Sequence, residues 1–193
     1  TFPTFSPDGI SLYFCSSKAV SPMPEKYREA RYNLCRVDFN PDGCTFGAVV
    51  DTLINAAAAG KSVSYPRVSP DGKYLVYALS DYGNFSIWHK EADLYMLDLE
   101  NGNVTCIDAL NSDDVESYHS WSGNSRWLAF SSRRDDGLYT KPYFAYIDAD
   151  GMARKAFLLP QKNPRKFYDS QMFSYNIPEL VSGEVNYGGD QIA

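Results

Sequence analysis

The sequence is short of several features that mark common classes of protein. It contains two histidines and four cysteines in 193 residues, and the cysteines form no Cys-x-x-Cys pair. A structural zinc site needs clustered thiolate and imidazole ligands, so none is expected. Basic residues are also too few, because 18 Lys and Arg against 24 Asp and Glu give a net charge of −6. A general nucleic-acid binder needs a basic excess, so we expect no nucleic-acid partner.

Long apolar runs are missing as well. No stretch approaches the roughly 18 apolar residues of a membrane span, and none is expected. The chain starts at Thr1 without a charged-then-apolar leader pattern, which indicates a processed chain or a piece of a longer one. Aromatic residues are abundant instead. Fifteen Tyr and 11 Phe stand beside 13 Gly and 11 Pro, a composition that favours β-strands separated by turns.

The motifs of common catalytic sites are absent too. The sequence has no Gly-x-Ser-x-Gly elbow, no Gly-rich phosphate loop and no His-Glu-x-x-His. We therefore expect the chain itself not to be an enzyme and to need no cofactor. The cysteines leave the redox compartment open. Cys15 and Cys35 fall in two strands expected to be neighbours, so a disulfide is possible, but burial of both as small apolar side chains is favoured.

A repeat organises the chain. The segment from Ser6 to Phe14, which opens with Ser-Pro-Asp-Gly, returns at Ser69 to Tyr77 and, with a degraded turn, at Ser122 to Phe130. Each copy follows a short aromatic-led run and precedes two further short segments joined by a turn that ends in Gly. Pro presets φ, Asp can bond its own backbone and Gly supplies positive φ, so each unit reads as four antiparallel strands. This pattern predicts an all-β fold made of β-propeller blades, whereas a β-sandwich would not predict internal repetition.

The repeats predict about three blades, at residues 1–62, 63–116 and 117–171, followed by a closing strand and tail at 172–193. Propellers usually close with four to eight blades, so this is a partial propeller. Two interpretations remain open. The chain is the C-terminal half of a six-bladed propeller, or two copies form a homodimer that completes the ring. Tyr175-Asn176 aligns with Tyr118-His119, which predicts that the tail offers the inner strand of one further blade.

The segment from Ser69 to Tyr77 resembles the signature of TolB-like, WD40-like propeller repeats of bacterial periplasmic proteins. Residues 118–151 are similar to the last blade of that group, and Ser174 to Glu179 is similar to its end. Two features depart from the pattern: Gly123-Asn124-Ser125 replaces the Pro-Asp-Gly turn, and a long segment at residues 18–31 interrupts the first unit.

The resemblance implies a location in the periplasm or cell envelope. It also implies a non-catalytic binding or scaffolding module for a protein, peptide or glycan. An enzymatic alternative is a propeller that serves as the gating domain of a prolyl oligopeptidase-type peptidase, or as part of a lyase acting on acidic oligosaccharides. Its catalytic residues would then lie outside this chain, since two histidines cannot build the metal cluster of such a lyase.

Loop lengths predict which face binds. The turns from first to second and from third to fourth strand are tight, while all other connections are long. All insertions therefore map to one face, and binding residues are expected there and in the central channel. On the loop face these residues are Trp88, Arg133, Arg134, Tyr139 and Lys141. On the channel side they are Arg67, His119 and Trp121.

Each candidate has a structural alternative. Arg133 and Arg134 bind carboxylates or phosphates through forked donors, or they pair with Asp135 and Asp136, which is favoured. His119 is an acid–base or metal group or, in the favoured interpretation, a hydrogen-bonded structural histidine.

Two segments carry further alternatives. The segment from Trp88 to Glu91 is a ligand-stacking loop or an exposed insertion with no partner. The acidic run Asp113, Asp114 and Glu116 would suit Ca²⁺, but it lacks the spacing of a dedicated loop, so solvated charge is favoured.

Overall fold

A computed structural model of the chain describes residues 1–184, and these form an all-β fold. Three four-stranded antiparallel sheets follow one another along the sequence, which confirms the predicted partial propeller. The part of the predicted tail at residues 185–193 lies outside the described residues. The strands and the helix are β1 Thr4–Phe5, β2 Ser11–Ser16, β3 Asn33–Asn40, β4 Thr45–Ile54, β5 Ser62–Val68, β6 Tyr74–Ser80, β7 Asp93–Asp98, β8 Val104–Cys106, β9 Glu116–Trp121, β10 Trp127–Ser132, β11 Lys141–Tyr146, β12 Phe157–Leu158 and α1 Pro164–Asp169.

The repeated turn closes the first hairpin of every sheet in the same way. Its leading serine donates a hydroxyl hydrogen bond to the side chain two residues on: Ser6 to Asp8, Ser69 to Asp71 and Ser122 to Asn124. The degraded third copy folds like the others because the amide oxygen of Asn accepts as a carboxylate does. Gly9 and Gly72 hold the positive-φ position, and Ser125 takes it in the third copy with φ +59°.

Two apolar clusters lie between consecutive sheets. Tyr13, Cys15 and Leu34 of the first sheet pack against Leu75, Tyr77 and Leu97 of the second. On the other side of the second sheet, Val76, Ala78, Leu94 and Met96 pack against Leu128, Phe130, Tyr143 and Ala145 of the third. Successive side chains of a strand point to opposite faces, so one run such as Leu75 to Ala78 serves both clusters. The sheets therefore stack face to face as blades do.

The innermost strands are β1, β5 and β9, since β5 contacts both of the others. An aromatic residue in the left-handed region lies just before β1 and within β5 and β9: Phe2 at φ +50°, Tyr65 at +52° and Tyr118 at +49°. Their rings form a ladder, with centroids 4.2 Å apart for Phe2 and Tyr65 and 4.7 Å for Tyr65 and Tyr118. A register shift in the pairing of β5 with β6 spans Tyr65, so the left-handed residue sits in a β-bulge.

The two cysteines of the first sheet are buried free thiols on neighbouring strands. Cys15 pairs with Leu34, and Cys35 pairs with Phe14, so the two side chains do not share a cross-strand pair. Burial raises the pKa of the Cys15 thiol to about 12. Both residues act as small apolar side chains, as favoured from the sequence.

Candidate functional site

A buried carboxylate lies beneath the loop face. Glu116, at the start of β9, has no exposed surface. It accepts hydrogen bonds from the backbone N–H and the hydroxyl of Ser112 at 2.9 and 2.7 Å, from the Ser132 hydroxyl at 2.8 Å and from Nη2 of Arg134 at 2.8 Å. Burial raises the pKa of Glu116, while the hydrogen bonds from Ser112 and the charge of Arg134 act in the opposite direction. The carboxylate is thus fully occupied by partners from within the protein.

The guanidinium of Arg134 is also occupied by partners within the protein. Its Nε donates to the Ser132 hydroxyl at 3.1 Å and its Nη2 also donates to the carbonyl of Leu110. The guanidinium lies 4.6 Å from the ring centroid of Tyr143, in cation–π contact. These contacts assign Arg134 a structural role at the end of β10.

Arg133 joins an exposed aromatic ring to a buried carboxylate. Its Nε lies 3.4 Å from Oδ1 of Asp114, and Arg133 is only 6% exposed. On the other side, its Cζ lies 5.0 Å from the ring centroid of Trp88, which is 67% exposed. The ring of Trp88 is therefore held by a cation that is itself paired, although most of the indole faces solvent.

Lys141 and Tyr139 complete the predicted loop-face set. Lys141 is buried and pairs with Asp135 and with Asp136, the latter at 3.0 Å. Burial lowers the pKa of Lys141, but these hydrogen bonds outweigh it and the net direction is upward. Tyr139 is half-buried, and its backbone N–H donates to Oδ1 of Asp136 at 2.9 Å, so the loop is tied to the same acidic turn.

Two predictions about charge pairing are wrong. Arg133 and Arg134 do not pair with Asp135 and Asp136, because those carboxylates pair with Lys141. The acidic run from Asp113 to Glu116 is not uniformly solvated, since Asp114 and Glu116 are buried as the partners of the two arginines. The physical reason is register: Ser132 lies directly opposite Glu116 in the β9–β10 pair, which carries the following arginines toward the acidic run.

A cavity of about 390 Å³ lies beside this network, lined by Ser112, Asp113, Asp114 and Arg134. This part of the loop face thus combines a polar cavity with the exposed ring of Trp88 above Arg133. Sequence reasoning named Trp88 and the arginines but not Ser112 and Ser132 as their partners. The register of β9 against β10 is the signal that would have found Ser132, whereas Ser112 precedes β9 and has no such signal.

On the channel side, His119 and Trp121 serve the packing of the third sheet on the second. His119 is buried, and its Nε2 lies 2.9 Å from the carbonyl of Val76. A carbonyl only accepts, so Nε2 carries the proton. Burial lowers the pKa of His119 to about 4, which keeps the ring neutral at pH 7. Trp121 is buried, and its indole N–H donates to the carbonyl of Arg67 at 3.1 Å. The favoured structural role of His119 agrees with this geometry.

Arg67 differs from the other predicted cations. Its side chain is half-buried and makes no hydrogen bond or ion pair to any residue in the range 1–184. It lies close enough to the Tyr65 phenol to lower that group's pKa, although burial and the hydrogen bond with Tyr118 raise it overall. Within residues 1–184, Arg67 thus places a positive charge without an ionic partner beside the aromatic ladder.

Within the described part of the chain, no group of three or more His, Cys, Asp or Glu side chains is placed to hold a metal ion. In the same residues, every helix is too short or too polar to cross a membrane.

Comparisons with known proteins concern the fold. No family model and no curated protein sequence matches the chain. Among solved structures, it is similar to TolB from Acinetobacter baumannii, at 20% identity and a TM-score of 0.49 over 79% of this chain and 31% of that one. It is also similar to puromycin hydrolase, at 15% identity and a TM-score of 0.53 over 82% of this chain and 21% of that one.

A third similar structure is the GH74 enzyme of Niastella koreensis, at 14% identity and a TM-score of 0.52 over 81% of this chain and 22% of that one. The chain spans less than a third of the length of each of these three structures. At these identities the likeness to puromycin hydrolase and to the GH74 enzyme supports the propeller fold alone.

Proposed function

We propose that the chain is a non-catalytic binding module of the bacterial cell envelope, a part of a β-propeller that holds a protein, peptide or glycan on its loop face. One observation carries this proposal. Trp88 exposes two-thirds of its surface, 67%, yet its ring rests on the buried guanidinium of Arg133. An aromatic side chain that is exposed and already fixed in place loses little entropy on binding, which is what an interface hot spot requires.

The surroundings of Trp88 support a protein or peptide partner. Phe85 and Leu138, from the same two loops, are also among the most exposed large apolar side chains. The same two loops also carry exposed charged side chains, including Glu91 and Asp135. An apolar centre with a polar rim is the common composition of protein interfaces. The envelope location rests on the resemblance of the Ser-Pro-Asp-Gly repeats to those of periplasmic proteins.

Arg67 gives the channel a distinct preference. A guanidinium that has no partner in the described range favours a carboxylate, which it can bind through two parallel N–H donors. An acidic side chain, a peptide C-terminus or the carboxylate of an acidic sugar has this chemistry.

The test is a binding panel with matched variants. Immobilised peptidoglycan, muropeptides and peptides from envelope proteins are probed with the wild-type chain, Trp88→Ala and Met152→Ala. Met152 is a similarly exposed apolar residue on the face of the tight turns, so it controls for loss of surface. We expect Trp88→Ala to weaken binding at least tenfold, about 1.4 kcal/mol, and Met152→Ala to leave it unchanged.

Equal affinities for the three proteins, or binding to no member of the panel, would overturn the proposal. Binding that responds to Arg67→Ala but not to Trp88→Ala would place the ligand in the channel instead of on the loop face.

A further inference from the structure

Arg133 is a buried arginine whose hydrogen-bond donors lack acceptors within the described part of the chain. Its side chain is only 8% exposed. The Nε atom is buried and donates no hydrogen bond, because its contact with Oδ1 of Asp114 at 3.4 Å is an ion pair without hydrogen-bond geometry. The two Nη atoms also have no hydrogen-bond partner among residues 1–184, but they are not enclosed as Nε is, so they reach solvent.

The neighbouring Arg134 shows what a structural arginine has at this depth. Its Nε and Nη2 donate to oxygens of Ser132, Leu110 and Glu116. Buried polar groups are nearly always hydrogen-bonded, because a donor that leaves water without finding an acceptor loses its hydration without a replacement. The ring over Arg133 does not fill this need, since a cation–π contact supplies no oxygen acceptor. Arg133 therefore has donors that a ligand can satisfy.

The charges near Arg133 favour an uncharged acceptor over an anion. Asp114 already neutralises the guanidinium, and Asp135 and Asp136 share a single lysine. Asp113, which lines the cavity beside Asp114, is exposed and has no ionic partner in the described range. A ligand carboxylate would add a further negative charge to this surface, whereas the carbonyl oxygen of an amide accepts N–H groups without carrying one.

The apolar side chains of the same two loops indicate what carries this carbonyl. Trp88 lies over the guanidinium, and Phe85 and Leu138 are 73% and 68% exposed. A peptide presents main-chain carbonyls together with apolar side chains, so one ligand can serve both the donors and the exposed rings. A sugar, whose polar groups are mostly hydroxyls, has less apolar area to place on them.

We propose that Arg133 binds a main-chain carbonyl of an uncharged, apolar peptide segment on the loop face, and that an adjoining side chain of the segment packs on Trp88. This inference rests on the proposed function and names the chemical group that the loop face recognises. The Nη atoms supply the donors, while Asp114 stays beside Nε and holds the guanidinium in place. The loop face would thus differ from the channel, where Arg67 favours a carboxylate.

Two small probes that differ in charge test this preference. N-acetylleucine amide and N-acetylleucine share the side chain and the acetyl carbonyl, but the second ends in a carboxylate. NMR of the full chain follows binding through the indole N–H of Trp88 and the Nε–H of Arg133, which Trp88→Phe and Arg133→Lys assign. We expect the amide to bind about tenfold more tightly than the acid and to shift both signals.

Variants locate the interaction. Arg133→Lys keeps the charge but not the forked donors, and it should weaken binding of the amide about tenfold. Arg154→Lys, at an exposed arginine paired with Asp148, is the matched control and should leave binding unchanged. Because Arg133 is buried, thermal unfolding establishes that its variant is folded. Asp113→Asn alters only an exposed side chain, and removal of its charge should reduce the preference for the amide about twofold.

Equal binding of the two probes, tighter binding of the acid, or a Trp88 shift that persists unchanged in Arg133→Lys would overturn the proposal. N-acetylglucosamine carries the same acetyl amide on a sugar, and if it binds as tightly as N-acetylleucine amide, the preference for a peptide is wrong. The proposed function is tested separately by Trp88→Ala on the binding panel. If that variant loses binding while Arg133→Lys keeps it, the binding module stands and the role of Arg133 does not.

Discussion

The indole N–H of Trp121 donates to the backbone carbonyl of Arg67 across the boundary between the second and third sheets, at 3.1 Å. Both residues are predicted from the sequence to bind a ligand, but the contact divides their roles. Trp121 is buried, and its indole N–H, the one polar group of the side chain, forms a hydrogen bond within the protein. Arg67 contributes its backbone to this contact, and its side chain remains without an ionic partner in the described range.

Trp121→Phe and Arg67→Ala should therefore separate stability from binding. Trp121→Phe leaves the Arg67 carbonyl without its donor and should lower the free energy of unfolding by about 1–3 kcal/mol. Arg67→Ala keeps the carbonyl and should change the free energy of unfolding by about 0.5 kcal/mol or less, since the side chain makes no hydrogen bond or ion pair within residues 1–184. Urea denaturation of both variants is the measurement. Equal losses would contradict this division of roles.

The fold is predictable from the sequence because its signals are local. Ser69-Pro70-Asp71-Gly72 specifies its own turn through side-chain hydrogen bonds and a positive φ, and the flanking alternation specifies which residues meet the neighbouring sheets. The left-handed conformation of Tyr65 has no such signal. A non-glycine residue rarely adopts it, and here it depends on the bulge and on ring contacts with Phe2 and Tyr118.

Arg134→Ala should be far more destabilising than removal of an exposed arginine. The substitution leaves the fully buried Glu116 carboxylate without its cation, and breaking a buried pair typically costs about 3–5 kcal/mol. The three remaining hydrogen bonds from Ser112 and Ser132 place the expected loss near the lower end. Arg154→Ala is the control, because its pair with Asp148 is largely exposed and such pairs contribute about 0–1 kcal/mol. Thermal unfolding of the two variants compares them, and similar midpoints would show that Glu116 does not need Arg134.

The candidate site was only partly predictable from the sequence, as the ion pair between Arg134 and Glu116 shows. Arg134 and Glu116 are 18 residues apart, and their contact depends on the register of β9 against β10. Asp135 and Asp136 were expected to pair with Arg133 and Arg134 because they follow them directly in the sequence. Residues 133–136 follow β10 in a turn and not in a strand, however, and Asp135 and Asp136 pair there with Lys141.

Ser125→Gly tests why the third turn tolerates a serine at a positive-φ position. Glycine would relieve a left-handed backbone strain of about 1 kcal/mol. It would also remove the Ser125 hydroxyl, which accepts the backbone N–H of Asp71 at 2.9 Å across the sheet boundary. An unpaired buried N–H costs about 1–3 kcal/mol, and this bond is partly buried, so the loss should lie toward the lower end and equal or exceed the gain. We expect Ser125→Gly to be neutral to about 2 kcal/mol destabilising, and Ser125→Ala to be worse than Ser125→Gly. Chemical denaturation that finds Ser125→Gly clearly stabilising would show that the hydrogen bond contributes nothing.

His119 should make stability fall as the solution becomes acidic. Burial lowers its pKa to about 4 in the folded protein, whereas an unfolded histidine has a pKa near 6.5. Between these two values the unfolded chain binds the proton and the folded chain does not. Stability is therefore fully present above pH 6.5 and is lost progressively toward pH 4, by about 3 kcal/mol in total at 1.36 kcal/mol per pH unit.

His119→Gln isolates this contribution. Its side-chain N–H₂ can still donate to the Val76 carbonyl in place of Nε2, but it does not titrate. Glu116, whose pKa burial raises, acts in the opposite direction, but it is present in both proteins and cancels in the difference. Urea denaturation from pH 7.5 to 4 should show the wild type losing about 3 kcal/mol more than the variant, with most of the difference developing between pH 6.5 and 4. Curves that stay parallel over this range would mean that His119 can accept a proton in place, and that its ring is not held neutral by the packing of the third sheet on the second.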